Sequence, residues 1–61
     1  MPIVRIELWE GRDVEIKKNL VKKITDDVVE VLKCPKEAVI VVLYDIPKHN
    51  WAQKGELAQN S

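Results

Sequence analysis

The second residue of the chain, Pro2, is the one whose chemistry depends most on its position. An initiator methionine is commonly removed when a small residue such as proline follows it, and removal of Met1 would leave Pro2 with a free secondary amine. An α-amino group titrates near ~8, and burial beside a positive charge lowers its pKa because both effects disfavour the protonated form. Such an amine can act as a general base. The simpler interpretation is a proline that begins a strand, where its missing N–H does no harm.

Arg12 is the second candidate, in the turn sequence EGR at residues 10–12. Its planar guanidinium matches the two oxygens of a carboxylate. Asp13 is a good N-cap for a following helix, so Arg12 stands at the positive end of a helix dipole, where anions are preferred. A cation kept at that end suggests binding of an anionic ligand, and a solvated surface arginine is the alternative.

A strand and a helix are predicted around these two residues. Residues 3–9, IVRIELW, are rich in β-branched and aromatic side chains and predict a strand with one apolar face, formed by Val4, Ile6 and Leu8. A helix is expected from Asp13 to about Lys33, because Pro35 disfavours helical geometry at the residue before it. Its apolar stripe consists of Ile16, Leu20, Ile24, Val28 and Val31, widened by Val21 and Leu32.

The second predicted strand, residues 38–43, reads AVIVVL and is extended by Tyr44. A run without polar residues is typical of a strand that is covered on both faces, and the intervening helix favours a right-handed β-α-β crossover with parallel strands. One helix covers only one face of such a sheet. The tail from Ile46 onward is polar apart from Trp51, so we expect a second copy of the chain to cover the other face.

Composition narrows the class of protein. The 61 residues form one domain, residues 1–61, and at this size a lone copy gains too little from its core to be stable without a staple, a metal or a partner. The single Cys34 cannot form an internal disulfide, and the single His49 has no Cys or second His with which to share a zinc ion. Zero net charge disfavours nucleic-acid binding. The sequence has no apolar run long enough to span a membrane, and its N-terminal residues lack the apolar stretch of a signal peptide. A soluble, cytoplasmic, self-associating protein is expected.

Together these segments resemble the 4-oxalocrotonate tautomerase family. The resemblance rests on MPIVRIELWEGR, the helix, Pro35, the strand AVIVVL, and HNW followed by GEL at residues 55–57, and it runs without a gap over nearly the whole chain. It implies an α/β fold: a β-α-β protomer with a short C-terminal hairpin, two of which form a dimer and six a homohexamer, a trimer of dimers. No metal or organic cofactor is implied.

The functional residues of the family carry over position by position. Pro2, once Met1 is gone, matches the general base that takes a proton from an enol or an acidic carbon and returns it at another carbon. Arg12, from a neighbouring protomer, matches the arginine that binds the substrate carboxylate. Trp51 matches the aromatic wall that keeps the site dry, and Trp9 matches an apolar position at its edge; interface packing is the alternative for both. The resemblance implies an isomerase acting on a small 2-hydroxydienoate or enolpyruvate-type carboxylic acid.

Ile40 departs from the family pattern, because a second arginine stands there in the family and meets the other carboxylate and the keto oxygen of the substrate. Losing one such donor typically costs ~10²–10³ in rate. We therefore expect a monocarboxylate, or an aromatic pyruvate fitted between Trp9, Ile40 and Trp51. Four cations could replace the missing one, although each is also explained as a solvated or interface charge: Arg5, Lys48, His49 and Lys54.

Two other functions stay open. A retained Met1 would tie the Pro2 nitrogen into an amide, which has no basic lone pair. Together with Ile40, this loss of the base would favour a hexameric scaffold or small-acid binder that is catalytically silent or weakly promiscuous. Alternatively, Pro2 acts as a nucleophile through an iminium, or as an acid that adds water to an unsaturated acid. The dehalogenase branch that adds water supplies an acid from the loop where this chain has Gln53, an amide, which weighs against that reaction.

Overall fold

The computed structural model describes residues 1–58. Strand β1 (Ile3–Trp9) is followed by helix α1 (Val14–Leu32), a 3-10 turn (Lys36–Ala38) and strand β2 (Ile40–Ile46). A second 3-10 turn (Lys48–Asn50) then leads to two short strands, β3 (Ala52–Gln53) and β4 (Glu56–Leu57). β1 and β2 pair in parallel, whereas β3 and β4 form a separate antiparallel hairpin. The predicted β-α-β unit with a C-terminal hairpin is confirmed.

Helix α1 begins and ends where the sequence predicts. The Asp13 side chain accepts a hydrogen bond of 2.9 Å from the Ile16 backbone N–H, which satisfies one of the free donors of the first turn. At the other end Lys33 adopts a left-handed conformation (φ 57°), and its N–H donates to the Val29 carbonyl at 2.9 Å. No helix within residues 1–58 combines the length and apolar character that a membrane span requires.

The predicted bounds of the second strand are wrong. Ala38 belongs to the 3-10 turn, and β2 begins at Ile40 and continues to Ile46. Pro35 fixes the entry to the turn, in which the Ala38 N–H donates to the Pro35 carbonyl at 3.0 Å. The apolar run begins at Ala38, the last residue of this turn, so its start does not mark the start of the strand. The strand continues to Ile46 because it pairs with β1 as far as Trp9, and the Asp45 carboxylate pairs with Lys17 on the helix.

The sheet has one covered face and one open face. Alternation along the strands turns one apolar set towards α1, formed by half-buried Val4, Ile6, Leu8, Val41 and Leu43. The opposite face carries Ile3, Ile40 and Tyr44, which are 47, 40 and 43% exposed. No side chain among residues 1–58 is fully buried, and the molecule is only 13 Å across its shortest axis. A single copy therefore has two layers but no enclosed core.

The ends of the predicted helical stripe are uncovered as well. Ile16 and Val31 are exposed, as is Leu32, whereas the central stripe residues Leu20, Ile24 and Val28 are half-buried. The short sheet covers only the middle of the helix, because α1 has 19 residues and each strand has seven. At 1.5 Å per helical residue and about 3.3 Å per strand residue, the helix is the longer element.

Candidate active site

Two tryptophans that lie far apart in the sequence meet at the end of β1. Trp9 is the last residue of that strand, and its ring centroid lies 5.9 Å from that of Trp51 with an interplanar angle of 80°. This edge-to-face geometry is one that aromatic pairs prefer, and it contributes about 0.5–1.5 kcal/mol. Trp51 is positioned by the second 3-10 turn, where its N–H donates to the Lys48 carbonyl at 3.1 Å, and by a 2.8 Å bond from the Ala58 N–H to its own carbonyl.

Two cations contact the same tryptophan. Arg12 donates through Nη1 to the Trp9 carbonyl at 2.9 Å, after a bend at Gly11, whose φ of 116° suits glycine. Lys48 places its Nζ 4.8 Å from the centroid of the Trp9 ring. Neither cation forms an ion pair within the described part of the chain. We call Trp9, Trp51, Arg12 and Lys48 the tryptophan cluster.

Pro2 lies at the opposite end of the sheet. Its carbonyl accepts a hydrogen bond of 3.0 Å from the Ile40 N–H, its ring is half-buried, and the preceding Met1 is 85% exposed. Seven strand residues span about 23 Å. A single protomer therefore brings Pro2 and Ile40 together but holds both away from Arg12 and the two tryptophans, so it does not form the expected pocket between Trp9, Ile40 and Trp51.

The hairpin closes one side of the tryptophan cluster. Lys54 and Gly55 both have positive φ (55° and 78°) and connect the paired residues Gln53 and Glu56, which makes a type I′ turn. A cavity of about 450 Å³ lies against Trp9 and is lined by Trp9, Gln53, Lys54, Glu56, Leu57 and Ala58. Within residues 1–58 the inaccessible Trp9 indole N–H has no hydrogen-bond acceptor.

A larger concavity of about 610 Å³ lies along β2, and of the candidate residues only Arg5 lines it. It is lined by Arg5, Glu7, Leu43, Tyr44, Asp45 and Ile46. Four of them, Arg5, Glu7, Tyr44 and Ile46, alternate onto the open sheet face, so the concavity reflects the uncovered sheet. The smaller cavity is the one that adjoins the candidate chemistry.

Four cations were expected as possible replacements for the arginine that is missing at Ile40, and they differ in where they lie relative to Trp9. Lys48 lies over the Trp9 ring, and Lys54 lines the cavity beside Trp9. Within residues 1–58 no hydrogen bond or ion pair holds the side chains of Arg5, His49 and Lys54. No sequence signal marks this contact, because Trp9 and Lys48 belong to different segments. An ammonium over the Trp9 ring and a guanidinium at the Trp9 carbonyl can together bind a small anion.

Comparison with known proteins identifies relatives along the whole chain. Residues 2–60 match the family model described as Tautomerase enzyme. A protein of Streptococcus pneumoniae serotype 4 named "Probable tautomerase" is 44% identical over 57 residues, which is 93% of this chain and 95% of that protein.

Solved structures agree in fold. A 4-oxalocrotonate tautomerase isozyme from Methylibium petroleiphilum is 40% identical with a TM-score of 0.90, covering 95% of this chain and 94% of its own. A 4-oxalocrotonate tautomerase homologue, 34% identical, has a TM-score of 0.93 and covers 100% of this chain and 97% of its own. A heterohexamer 4-oxalocrotonate tautomerase from Chloroflexus aurantiacus, at 24% identity, has a TM-score of 0.91 and covers 97% and 95% of the two chains.

The match extends from Pro2 through the strand that carries Ile40 to the residues beyond the hairpin. It includes both ends of the sheet, with the proline at one and the tryptophan cluster at the other. Family membership supports an isomerase activity of the tautomerase type. The chain belongs to the 4-oxalocrotonate tautomerase family.

Proposed function

We propose that the protein moves a proton between the enol and keto forms of a small 2-hydroxydienoate or enolpyruvate-type carboxylic acid. The observation that carries this proposal is the setting of Pro2. Met1 is exposed, while the Pro2 carbonyl is bonded to the Ile40 N–H. Removal of Met1 would free the prolyl nitrogen and leave that hydrogen bond intact, so the base would be held on the rigid end of a strand.

In the proposed reaction Pro2 is the general base and Arg12 the carboxylate anchor. The prolyl nitrogen takes the proton of the enol hydroxyl as the oxygen becomes a keto group, and the C=C electron pair takes a proton back from the nitrogen at another carbon. The base is thereby regenerated. Arg12 holds the carboxylate through its planar fork, and the faces of Trp9 and Trp51 exclude water, which disfavours the protonated amine.

The separation of Pro2 from Arg12 requires two protomers in one site. We propose a homohexamer, a trimer of dimers, in the cytoplasm, with the Arg12 of each site supplied by a neighbour of the protomer that supplies Pro2. The open sheet face and the lack of a fully buried side chain within residues 1–58 support association. The Chloroflexus aurantiacus relative, a heterohexamer, has the same fold.

The test begins with the intact mass of the purified protein, which establishes whether Met1 is gone. Material that starts at Pro2 is then assayed for tautomerisation of a 2-hydroxydienoate and of phenylenolpyruvate, followed by ultraviolet absorbance. We expect turnover of at least one acid by the processed protein and none by material that retains Met1. A processed hexamer that converts neither acid would refute the proposed activity.

A second candidate function is a catalytically silent hexamer that binds a small acid. It is favoured by Ile40, an aliphatic residue beside Pro2 at the position of the second family arginine. This function predicts that the protein from its own host retains Met1, and that calorimetry detects binding of a 2-keto acid without its conversion.

A further inference from the structure

The position of Lys48 bears on the charge of the substrate. We propose that Lys48 is a second anion-binding residue of the site, that it acts beside Arg12, and that the site therefore prefers an acid with two carboxylates. This inference rests on the proposed function for its location in an active site. It departs from the monocarboxylate expected from Ile40, because it supplies a cation from a different element.

Both the backbone and the ammonium of Lys48 are held in place. Its backbone opens the second 3-10 turn directly after Pro47, and that turn is closed by bonds from the Asn50 N–H to the Pro47 carbonyl at 2.9 Å and from the Trp51 N–H to the Lys48 carbonyl at 3.1 Å. Its ammonium lies over the Trp9 ring. The negative charge on the face of an indole ring attracts a cation placed over it.

The ring contact orients the ammonium without neutralising it. Lys17, Lys18 and Lys22 each lie within ion-pair distance of a carboxylate, namely that of Asp45, Glu15 and Asp26. Lys48 and Arg12 have no such partner among residues 1–58, although both contact Trp9. The Lys48 ammonium and the remaining donors of the Arg12 guanidinium are therefore available to an anionic ligand.

The two cations suit two different anionic groups. The Arg12 guanidinium offers paired donors in a plane, which fits one carboxylate, and the Lys48 ammonium is a point charge with rotatable donors that adapts to a second. The Trp9–Trp51 pair, packed edge to face, provides apolar surface for the conjugated carbons that join the two carboxylates. An acid with a carboxylate at each end matches this arrangement better than one with a single carboxylate.

The test compares two substrates that differ only in charge: a 2-hydroxydienedioate and the 2-hydroxydienoate that lacks its distal carboxylate. Lys48→Ala is expected to lower kcat/KM for the dianion by roughly 10- to 100-fold, the range for a lost hydrogen bond between charged groups, and for the monoanion by less than about threefold. Lys48→Arg keeps the charge and should preserve the preference. The matched control is Lys23→Ala, an exposed helical lysine without an ion pair within residues 1–58, which should change neither rate.

An equal loss on both substrates would assign Lys48 a structural role and overturn the proposal, as would no loss on either. If sedimentation shows that Lys48→Ala does not assemble, Lys48→Met is used in its place, because methionine keeps an aliphatic side chain over the ring without the charge.

A binding measurement separates this inference from the proposed activity. Calorimetry with adipate and with pentanoate requires no turnover. The wild-type protein should bind adipate at least about tenfold more tightly, and Lys48→Ala should remove that preference. Equal affinity for both acids in the wild type would overturn the proposal even for an active enzyme, whereas a preference in an inactive protein would support it and refute only the proposed catalysis.

Discussion

Where β1 ends, side chains from three segments contact one another, and where β1 begins, a single backbone hydrogen bond holds the proline. The tryptophan cluster combines an aromatic pair, a cation over a ring and an arginine bonded to a carbonyl. At the other end the Pro2 carbonyl bonds to the Ile40 N–H, and Ile3 and Ile40 stay exposed.

This difference shows that substrate binding and proton transfer depend on opposite ends of the sheet. The parts that would bind an acid are assembled within one chain, because β1, the turn before α1 and the second 3-10 turn meet there. The surroundings of the base are left incomplete by the same chain. In the proposed assembly the two ends of different protomers complete each other, and the following predictions test that division from the largest effect to the smallest.

Blocking the amine at the proline end should have the largest effect. Addition of one residue before Pro2 that is not removed converts its nitrogen to an amide, and loss of a general base typically lowers the rate by ~10²–10⁴. We expect a loss of kcat of about 10³-fold, measured by the tautomerase assay after the mass has been verified, without a change in the sedimenting species. Full activity of the extended protein would exclude Pro2 as the base.

Removal of the anchor from the tryptophan cluster should have the next largest effect. Arg12→Ala is expected to reduce kcat/KM by roughly 100-fold, because a charge-assisted, two-point contact with the carboxylate is lost. Arg12→Lys keeps the charge but not the fork, so its loss should be smaller. A variant without Arg12 that keeps wild-type kcat/KM for every acid tested would contradict the anchoring role.

Mixing the two defects tests whether the ends come from different chains. Co-expressed Pro2→Ala and Arg12→Ala protomers are each defective alone, but a site that draws its proline and its arginine from different protomers is intact in roughly a quarter of random combinations. Activity of the mixed oligomers should rise to that fraction of the wild-type value. If the mixture stays as inactive as its parents, both residues belong to the same protomer.

Loosening the aromatic contact should have a smaller effect. Trp51→Leu removes the edge-to-face pair with Trp9, and a loss of its contribution of about 0.5–1.5 kcal/mol would lower kcat/KM by roughly two- to 13-fold. Trp51→Phe retains an aromatic ring and should lose less. Equal activity of the leucine variant and the wild type would show that the ring does not contribute to the site.

A change outside both ends should affect stability alone. Asp13→Ala removes the side-chain acceptor for the Ile16 N–H and should lower the free energy of unfolding by about 1 kcal/mol, measured by denaturant titration at fixed protomer concentration. Asp13→Asn retains an acceptor and serves as the control. A drop in kcat for Asp13→Ala beyond about twofold would indicate that the cap also positions the neighbouring Arg12.

The elements with a local signal were predictable, and the contacts between distant elements were not. Alternating residues determine β1, while Asp13 and Pro35 bracket the helix. The predicted start of β2 is two residues too early, because the apolar run begins at Ala38, the last residue of the 3-10 turn, and passes through Val39 before the strand starts at Ile40. The separation of Pro2 from Arg12 follows from the length of β1, but the meeting of Lys48 with Trp9 depends on how the chain returns past the end of the sheet, which no periodicity encodes.

Trp9 and Trp51 are the only tryptophans in the protein. Fluorescence excited selectively at the indole band therefore originates entirely from this one contact, and two indoles so close together couple to give a circular dichroism signal in the ultraviolet. An anion that binds the Lys48 ammonium over the Trp9 ring would therefore change the tryptophan emission. Tryptophan fluorescence therefore reports on ligand binding at the Trp9 end of the sheet and not directly on the Pro2 end.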